Sequence, residues 1–276
     1  VQCLSELKNL SLVAEPARRL LEAVCSLFDT RFNQRDAYDK FLQEHLATSA
    51  AAIGPDWPHR MILVSWLRKY HLVSTSFTYA EAFGKCIGTI GAGLNEIRQV
   101  IVEHATHEDS EVRCLAAFTL PEGWQADSRT LLLLRDRAVR DKHWQVRGAA
   151  VSVIAEHYRS DAQTLPLLRD RAVGDEDGNV RIAAMSAIAE HYRGDEQTLP
   201  LLRERALKDE SPLPGDPAWA FCVRKIAIEA IAKHWSTHPD TVALLRERAK
   251  NDPTPWLRKR AKELEDELAA KPSTSE

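Results

Sequence analysis

The sequence predicts an all-α chain, an α-α superhelix of stacked helix pairs with irregular helices at its N-terminal side. Three observations carry that expectation. A Val-Arg or Leu-Arg pair returns at Val112-Arg113, Val146-Arg147, Val180-Arg181, Val223-Arg224 and Leu257-Arg258, at intervals of 34, 34, 43 and 34 residues. The surrounding residues return with it: TLLLLRDRAVRDKHWQVRGAAVSVIAEHYRSDAQ from Thr130 is followed by TLPLLRDRAVGDEDGNVRIAAMSAIAEHYRGDEQ from Thr164. TLPLLRERALKDE from Thr198 and TVALLRERAKND from Thr241 continue the series. Within each interval the apolar residues keep helical spacing. A period of this length marks supersecondary units that bury their apolar faces only by stacking on one another.

Each unit reads as two helices. The first spans Thr130 to Arg140, with Leu131, Leu134 and Ala138 on one face, and the polar break Asp141-Lys142-His143 ends it. The second begins near Val146 and carries Val146, Ala150, Val153 and Ile154, matched one unit later by Val180, Ala184, Ala187 and Ile188. The small pairs Ala149-Ala150 and Ala183-Ala184 allow neighbouring helices to approach closely. Five units are expected, over residues 96–129, 130–163, 164–197, 198–240 and 241–270.

Residues 1–95 lack the beat but still read as helical. A helix starts at Ala14-Glu15-Pro16, with proline in the first turn where its missing N–H is harmless. A second is expected over 37–52, and Gly54-Pro55-Asp56-Trp57-Pro58 breaks the chain before an apolar helix from Met61 to Tyr70. A glycine-bearing segment, Gly84 to Gly93, leads into the first regular unit near Glu96. At the other end, the second helix of the last unit is polar on most faces, with Glu265 where Ile154 and Ile188 stood, as a terminal cap requires. The Pro/Ser composition of 271–276 predicts a disordered tail, and the opening at Val1 reads as an entry from a longer protein.

The arginine of the recurring pair stands six residues after an aspartate in Asp141/Arg147, Asp175/Arg181 and Asp252/Arg258, while Arg224 keeps the arginine position in the enlarged unit. Such aspartates can cap the second helix or meet an arginine of a neighbouring unit. The preferred reading is an Asp-Arg ladder that fixes the stacking angle, over a basic strip for an acidic ligand.

Composition narrows the function classes. The net charge is −3, with 10 basic against 9 acidic residues up to Asn95 and 27 against 31 beyond it. That balance disfavours a nucleic-acid footprint, which needs a strongly basic face. The arginine pairs of the first helices (Arg135/Arg137, Arg169/Arg171, Arg203/Arg205, Arg246/Arg248) each bracket an acid and read as a mixed-charge surface. No membrane span or signal peptide is read from the sequence. Cys3, Cys25, Cys86, Cys114 and Cys222 are scattered and odd in number, as expected of reduced thiols in a cytoplasmic protein.

Tandem DxxxxVRxxAA units with TLPLLR(D/E)RA first helices resemble HEAT repeats of the short, phycobilisome-lyase type, so the superhelix is expected to be a HEAT-repeat solenoid. More narrowly, TLPLLRDRAV followed by HYR.D.QTLPLLR resembles the C-terminal repeats of prokaryotic NACHT-module NTPases of the STAND class. CLSELKNL and GPDWPHRMILVSWL are similar to the region that joins the NTPase core to those repeats. The resemblance implies an upstream NTPase switch and a repeat array that senses a trigger, in a family that includes anti-phage defence proteins. The chain has no G-x-x-x-x-G-K-[ST] loop, and Gly84-Lys85-Cys86 lacks both the earlier glycine and the hydroxyl for Mg²⁺. No nucleotide site carries over, and this chain is expected to be non-catalytic, without a cofactor. The expected partner is another protein or the parent's own NTPase core. The alternative is a free-standing HEAT adaptor, or a bilin-lyase-like subunit that handles a chromophore.

Candidate contact residues follow from the columns that the repeats create. Trp124, Tyr158, Tyr192 and Trp235 recur at the ends of the second helices, beside His157, His191 and His234. They suit an aromatic and imidazole binding strip, although rings that close the gap between units with polar tips at the rim are the preferred reading. Glu156-His157 and Glu190-His191 bring HEAT-type iron hydroxylases to mind, but Lys233 breaks the pattern and helices about 8–10 Å apart separate the imidazoles too far for one ion. A metal is not expected. The enlarged unit adds nine residues between helices, within Asp209 to Phe221, and presents Trp219 and Phe221 close after prolines. Insertions in solenoids map to one face, often the binding face. A spacer role, with both rings folded back to start the helix, weighs equally.

Overall fold

The computed structural model describes residues 13–29, 52–69, 77–209 and 223–270. Every regular element among the described residues is helical, with no strand. None of these helices is long and apolar enough to cross a membrane. The helix expected over 37–52, all but its last residue, lies outside the described residues, as do Trp219, Phe221 and the tail 271–276. The chain divides into two compact units, Val1–Val153 and Ile154–Glu276.

The first unit contains α1 (Ala14–Asp29), a 3-10 turn (Gly54–Asp56), α2 (Ile62–Lys69), α3 (Phe77–Gly91), α4 (Asn95–His104), α5 (Ser110–Trp124) and α6 (Ser128–Arg140). The division falls within α7 (Trp144–His157). In α1, Ala17, Leu21 and Cys25 recur every fourth residue and are buried, while Glu15, Arg18 and Glu22 pair on the outer side. Trp57, 2% exposed, fixes this helix from the following turn, its indole N–H donating to the Ala17 carbonyl at 3.1 Å.

The described helices before residue 95 therefore join the helix packing, although their sequence lacks the beat. Leu63, Val64 and Leu67 of α2 share one core with Phe83, Ile87 and Ile90 of α3, and Trp66 meets Phe83 edge-on at 5.0 Å. The Arg60 guanidinium donates to the Ile90 and Ala92 carbonyls at 3.1 and 2.7 Å, which closes the C-terminal end of α3.

The glycine-bearing stretch from Gly84 is not simply a lead-in: through Gly91 it is the body of α3. Its glycines are contact residues. A Cβ on Gly84 would stand 2.6 Å from the Phe118 Cβ of α5. One on Gly88 would stand 2.6 Å from the Glu122 Cβ and nearer still to the Thr119 carbonyl oxygen. From the opposing helix, one on Gly123 would stand 2.6 Å from the Gly88 carbonyl oxygen. Hydrogen in place of a side chain thus sets how closely the two helices approach. With α3 so near, every side chain of α5 from Val112 to Pro121 is buried.

The second unit is built of helix pairs. They are α8 (Thr164–Gly174) with α9 (Gly178–His191), α10 (Thr198–Lys208) with α11 (Val223–His234), and α12 (Pro239–Asn251) with α13 (Pro255–Ala270). The second helices form a layer in which α9 packs on α11 and α11 on α13. Leu168, Ala172, Val180, Ala184 and Ile188 of one pair are matched by Leu202, Ala206, Val223, Ala227 and Ile231 of the next, all fully buried. In α13 the set shrinks to Leu257, Ala261 and Leu264. Glu265, where the isoleucines stood, reaches Arg246 of α12 at 3.0 Å.

Candidate interaction surface

Polar geometry between successive pairs decides which groups remain available for contact. In the first unit, Arg113 of α5 forks onto Asp141, Nε to Oδ2 and Nη2 to Oδ1, each at 2.8 Å. In the second, Arg181 meets Asp209 at 3.1 and 3.2 Å, and Arg224 meets Asp252 at 3.1 and 3.4 Å. Each pair joins residues 28 apart. The remaining guanidinium nitrogen turns back to the arginine's own turn, as Arg147 Nη1 does to the Asp141 carbonyl at 2.9 Å and Arg181 Nη1 to that of Asp175 at 2.8 Å. Arg258 Nη1 donates likewise to the Asp252 carbonyl at 2.7 Å.

Each aspartate gathers several segments. Asp141 also accepts the His143 backbone N–H at 2.9 Å and a weaker contact from Arg137 at 3.4 Å. Asp175 and Asp252 repeat this with Asp177 N and Arg171, and with Thr254 N and Arg248. Where a side-chain cap of the second helix is seen, the capping residue lies two positions further on: Asp177 caps α9 by accepting Asn179 N–H at 2.8 Å. Burial works to raise the Asp141 carboxyl pKa, but the Arg113 hydrogen bonds, the His143 N–H and Arg137 overcome it, leaving the group below its ordinary value.

Asp209 is the member that sequence reasoning missed. The insertion separates it from Arg224, so an interval of six fails to find it. The interval backward holds: Arg137, Arg171, Arg205 and Arg248 each precede Asp141, Asp175, Asp209 and Asp252 by four.

The aromatic and imidazole column of the second unit occupies the C-terminal ends of its second helices. Threonine hydroxyls organise this edge: Thr164, Thr198 and Thr241 donate to the carbonyls of Tyr158, Tyr192 and Trp235 at 2.8, 2.8 and 2.7 Å. Tyr192 donates its own hydroxyl to the Arg159 carbonyl at 2.8 Å, and burial raises its pKa. Tyr158 is buried, Tyr192 and Trp235 are partly buried, and His191 is exposed. His157 is largely covered, with Nε2 4.0 Å from the Glu156 carboxylate. In the first unit, Trp124 ends α5 and is buried.

His234 joins the ends of α9 and α11. Its Nε2 lies 3.3 Å from Glu190 and its Nδ1 3.3 Å from Arg193 Nη1, while Lys233 meets the same Glu190 at 3.2 Å. Arginine can only donate, so Nδ1 accepts and the neutral ring carries its proton on Nε2, toward Glu190. Burial, with Lys233 and Arg193 nearby, lowers the His234 pKa from 6.5 despite Glu190. The folded state therefore favours the neutral ring: His234 contributes stability above the unfolded value and loses it as pH falls through that range toward the folded value. The unfolding midpoint should drop more between pH 7.5 and pH 5.5 in the native chain than in His234→Gln. Parallel pH profiles would contradict this assignment.

The first-helix arginines are engaged as well. Arg169 pairs with Asp195, Arg203 with Asp240 at 2.6 Å, and in the first unit Arg98 with Asp127 at 2.7 Å. Each acid stands at or just beside the start of a later first helix, so this surface is stitched in the stacking direction. Among the described residues no group of three His, Cys, Asp or Glu side chains is placed to hold a metal ion. What the second unit offers is an edge of ring faces, an exposed imidazole and ionised rims, chemistry suited to noncovalent contact.

Residues 131–214 match the family model for HEAT repeats, and this stretch is a HEAT-repeat region. No curated protein matches the chain. HEAT repeats are helical scaffolds that commonly mediate protein–protein contact, and the all-α stacking of helix pairs is of that class.

Proposed function

We propose that this chain is the non-catalytic recognition region of a NACHT-type STAND NTPase, acting in prokaryotic anti-phage defence or signalling. A protein trigger, or the parent's own NTPase core, docks on the edge formed by the ends of the second helices. That contact shifts the parent between closed and assembled states. The observation that carries the docking part is the division of labour in the second unit. Buried and part-buried guanidinium–carboxylate pairs hold its helix pairs in register, while Tyr192, Trp235 and exposed His191 stand at one edge. The NTPase part rests on the resemblance of TLPLLRDRAV, HYR.D.QTLPLLR and GPDWPHRMILVSWL to that family. Cys25, Cys86 and Cys114 are buried thiols, which supports a reducing, cytoplasmic setting.

Two experiments test this reading. A Walker-type phosphate loop encoded upstream of Val1 would support the switch, and a start codon immediately before Val1 would end it. For the edge, His191→Ala should lower the parent's trigger response at least about tenfold, as loss of hot-spot contacts does. The thermal midpoint should remain unchanged. An undiminished response would show that the partner binds elsewhere.

A further inference from the structure

We propose that the Arg169–Asp195 ion pair is a salt-sensitive strap, which sets the width of a crevice between α8 and α10 and ties that width to the turn carrying Tyr192. The crevice has a volume of about 340 Å³ and is lined by Arg169 and Val173 from α8 and by Gln197, Pro200, Leu201 and Glu204 from the N-terminal half of α10. Val173 is an exposed side chain in its wall, so these two first helices do not close on each other. The second helices of the same pairs do. Ala184 and Ile188 of α9 and Ala227 and Ile231 of α11 are fully buried, and the two helices pack directly. The pairs are thus closed on one layer and parted on the other.

Across the parted layer, Arg169 Nη2 donates to Asp195 Oδ1. Among the described residues no other ion pair joins α8 to α10 or to the turn before it. The same Oδ1 accepts the Gln197 N–H at 2.9 Å, the Asp195 N–H donates to the Tyr192 carbonyl at 3.1 Å, and the Asp195 carbonyl accepts the Thr198 N–H at 3.0 Å. Asp195 is therefore fixed in the corner between Tyr192 and α10, and the arginine is the end of the strap that can let go. The Arg169 and Asp195 side chains are 32% and 33% exposed, against 6% and 0% for Arg224 and Asp252. Screening acts on exposed pairs and much less on buried ones, so salt reaches the strap first. When it opens, the α9–α11 layer and the Arg181–Asp209 pair keep the helix pairs joined while α8 and α10 part. A contact that shifts the Tyr192 turn carries Asp195 with it and changes the crevice. Only this coupling rests on the second-helix edge as the docking surface, since the strap needs no partner.

The test uses the full chain with its native cysteines and nitroxides attached through a ketone-bearing unnatural residue. One sample is labelled at Gly174 and Leu207, exposed positions in the last turns of α8 and α10. The other is labelled at Ser186 of α9 and Lys225 of α11. Dipolar spectroscopy at low salt should give one narrow distance between 174 and 207. That distance should lengthen by at least about 2 Å, the size of a helix shift at an interface, in Arg169→Gln and in about 1 M sodium chloride, where screening acts within about 3 Å. The distance between 186 and 225 should stay fixed. An unchanged distance between 174 and 207 overturns the proposal, and so does equal lengthening in both samples, which would mean that the whole stack loosens. Lengthening by salt but not by Arg169→Gln overturns it too, because another pair of charges would then hold the helices. If Arg169→Gln fails to fold, the salt series on the native sequence still decides between a parted first layer and a uniform one. A partner that docks elsewhere would leave these distances as they are, so the strap and the docking edge fail separately.

Discussion

Asp141→Ala should lower the stability of the first unit by about 3–5 kcal/mol, the range for breaking a buried ion pair from one side. The carboxylate side chain is 1% exposed and faces Arg113 at 4%, so its removal leaves a guanidinium inside the fold whose other hydrogen bonds among the described residues go to the His107 and Glu108 carbonyls. Replacing both partners by apolar residues, Arg113→Met with Asp141→Leu, should recover most of the loss, because the stranded charge and not the missing attraction dominates the cost. Urea unfolding of both variants measures the difference. If the double variant is as unstable as Asp141→Ala, the pair's hydrogen-bond geometry matters more than its charge. Because the Asp141 pKa is lowered in the fold, its contribution is present above the unfolded carboxyl value and disappears as pH falls through the folded one. Acid sensitivity should accordingly be blunted in the double variant.

Gly88→Ala should cost the first unit about 1–3 kcal/mol, the usual range for overpacking, and Gly88→Leu should prevent its folding. The new Cβ would meet the Thr119 carbonyl and the first side-chain carbon of Glu122, neither of which is the far end of a flexible chain. The whole crossing of α3 on α5 would have to open, exposing side chains that include Phe83, Ile87 and Leu115. Gly174→Ala supplies the contrast. That residue ends α8 with nothing within 4 Å of the added carbon, so alanine should stabilise the second unit by about 0.4–1 kcal/mol. Opposite signs at the two sites are the expected result of denaturant melts. A neutral Gly88→Ala would mean that α3 and α5 can separate without loss.

Reading the sequence succeeds where contacts are local or repeated. Leu134, Ala138, Val146 and Ala150 announce helices by spacing, and the return of that spacing one unit later announces stacking. Gly88 shows the limit. A glycine in a helical stretch reads as a weak point, because its reason lies on another helix, at Thr119 and Gly123. Asp209 shows a different limit: it keeps its place relative to Arg205, and the insertion hides only its relation to Arg224. At the edge, Tyr192 and Trp235 are legible as a column, but which threonine hydroxyl closes each helix end is a matter of three-dimensional proximity. What an edge binds depends on a partner's surface, and no spacing within one chain encodes that.

Asp252 touches Arg224 from the preceding helix pair, Arg248 from its own helix and Thr254 from its own turn. In the terms of a nearest-neighbour lattice, the helical hairpins are sites and this carboxylate is part of the coupling between two of them. A coupling with three attachments cannot be formed by degrees, since each contact requires its segment to be already in place. Within the second unit, loss of α12 and α13 would therefore strip the carboxylate from Arg224, which is 5% exposed in the intact fold. The boundary between folded and unfolded chain should therefore move in steps of a whole hairpin, and hydrogen exchange is expected to release the amide protons of α12 and α13 as one block.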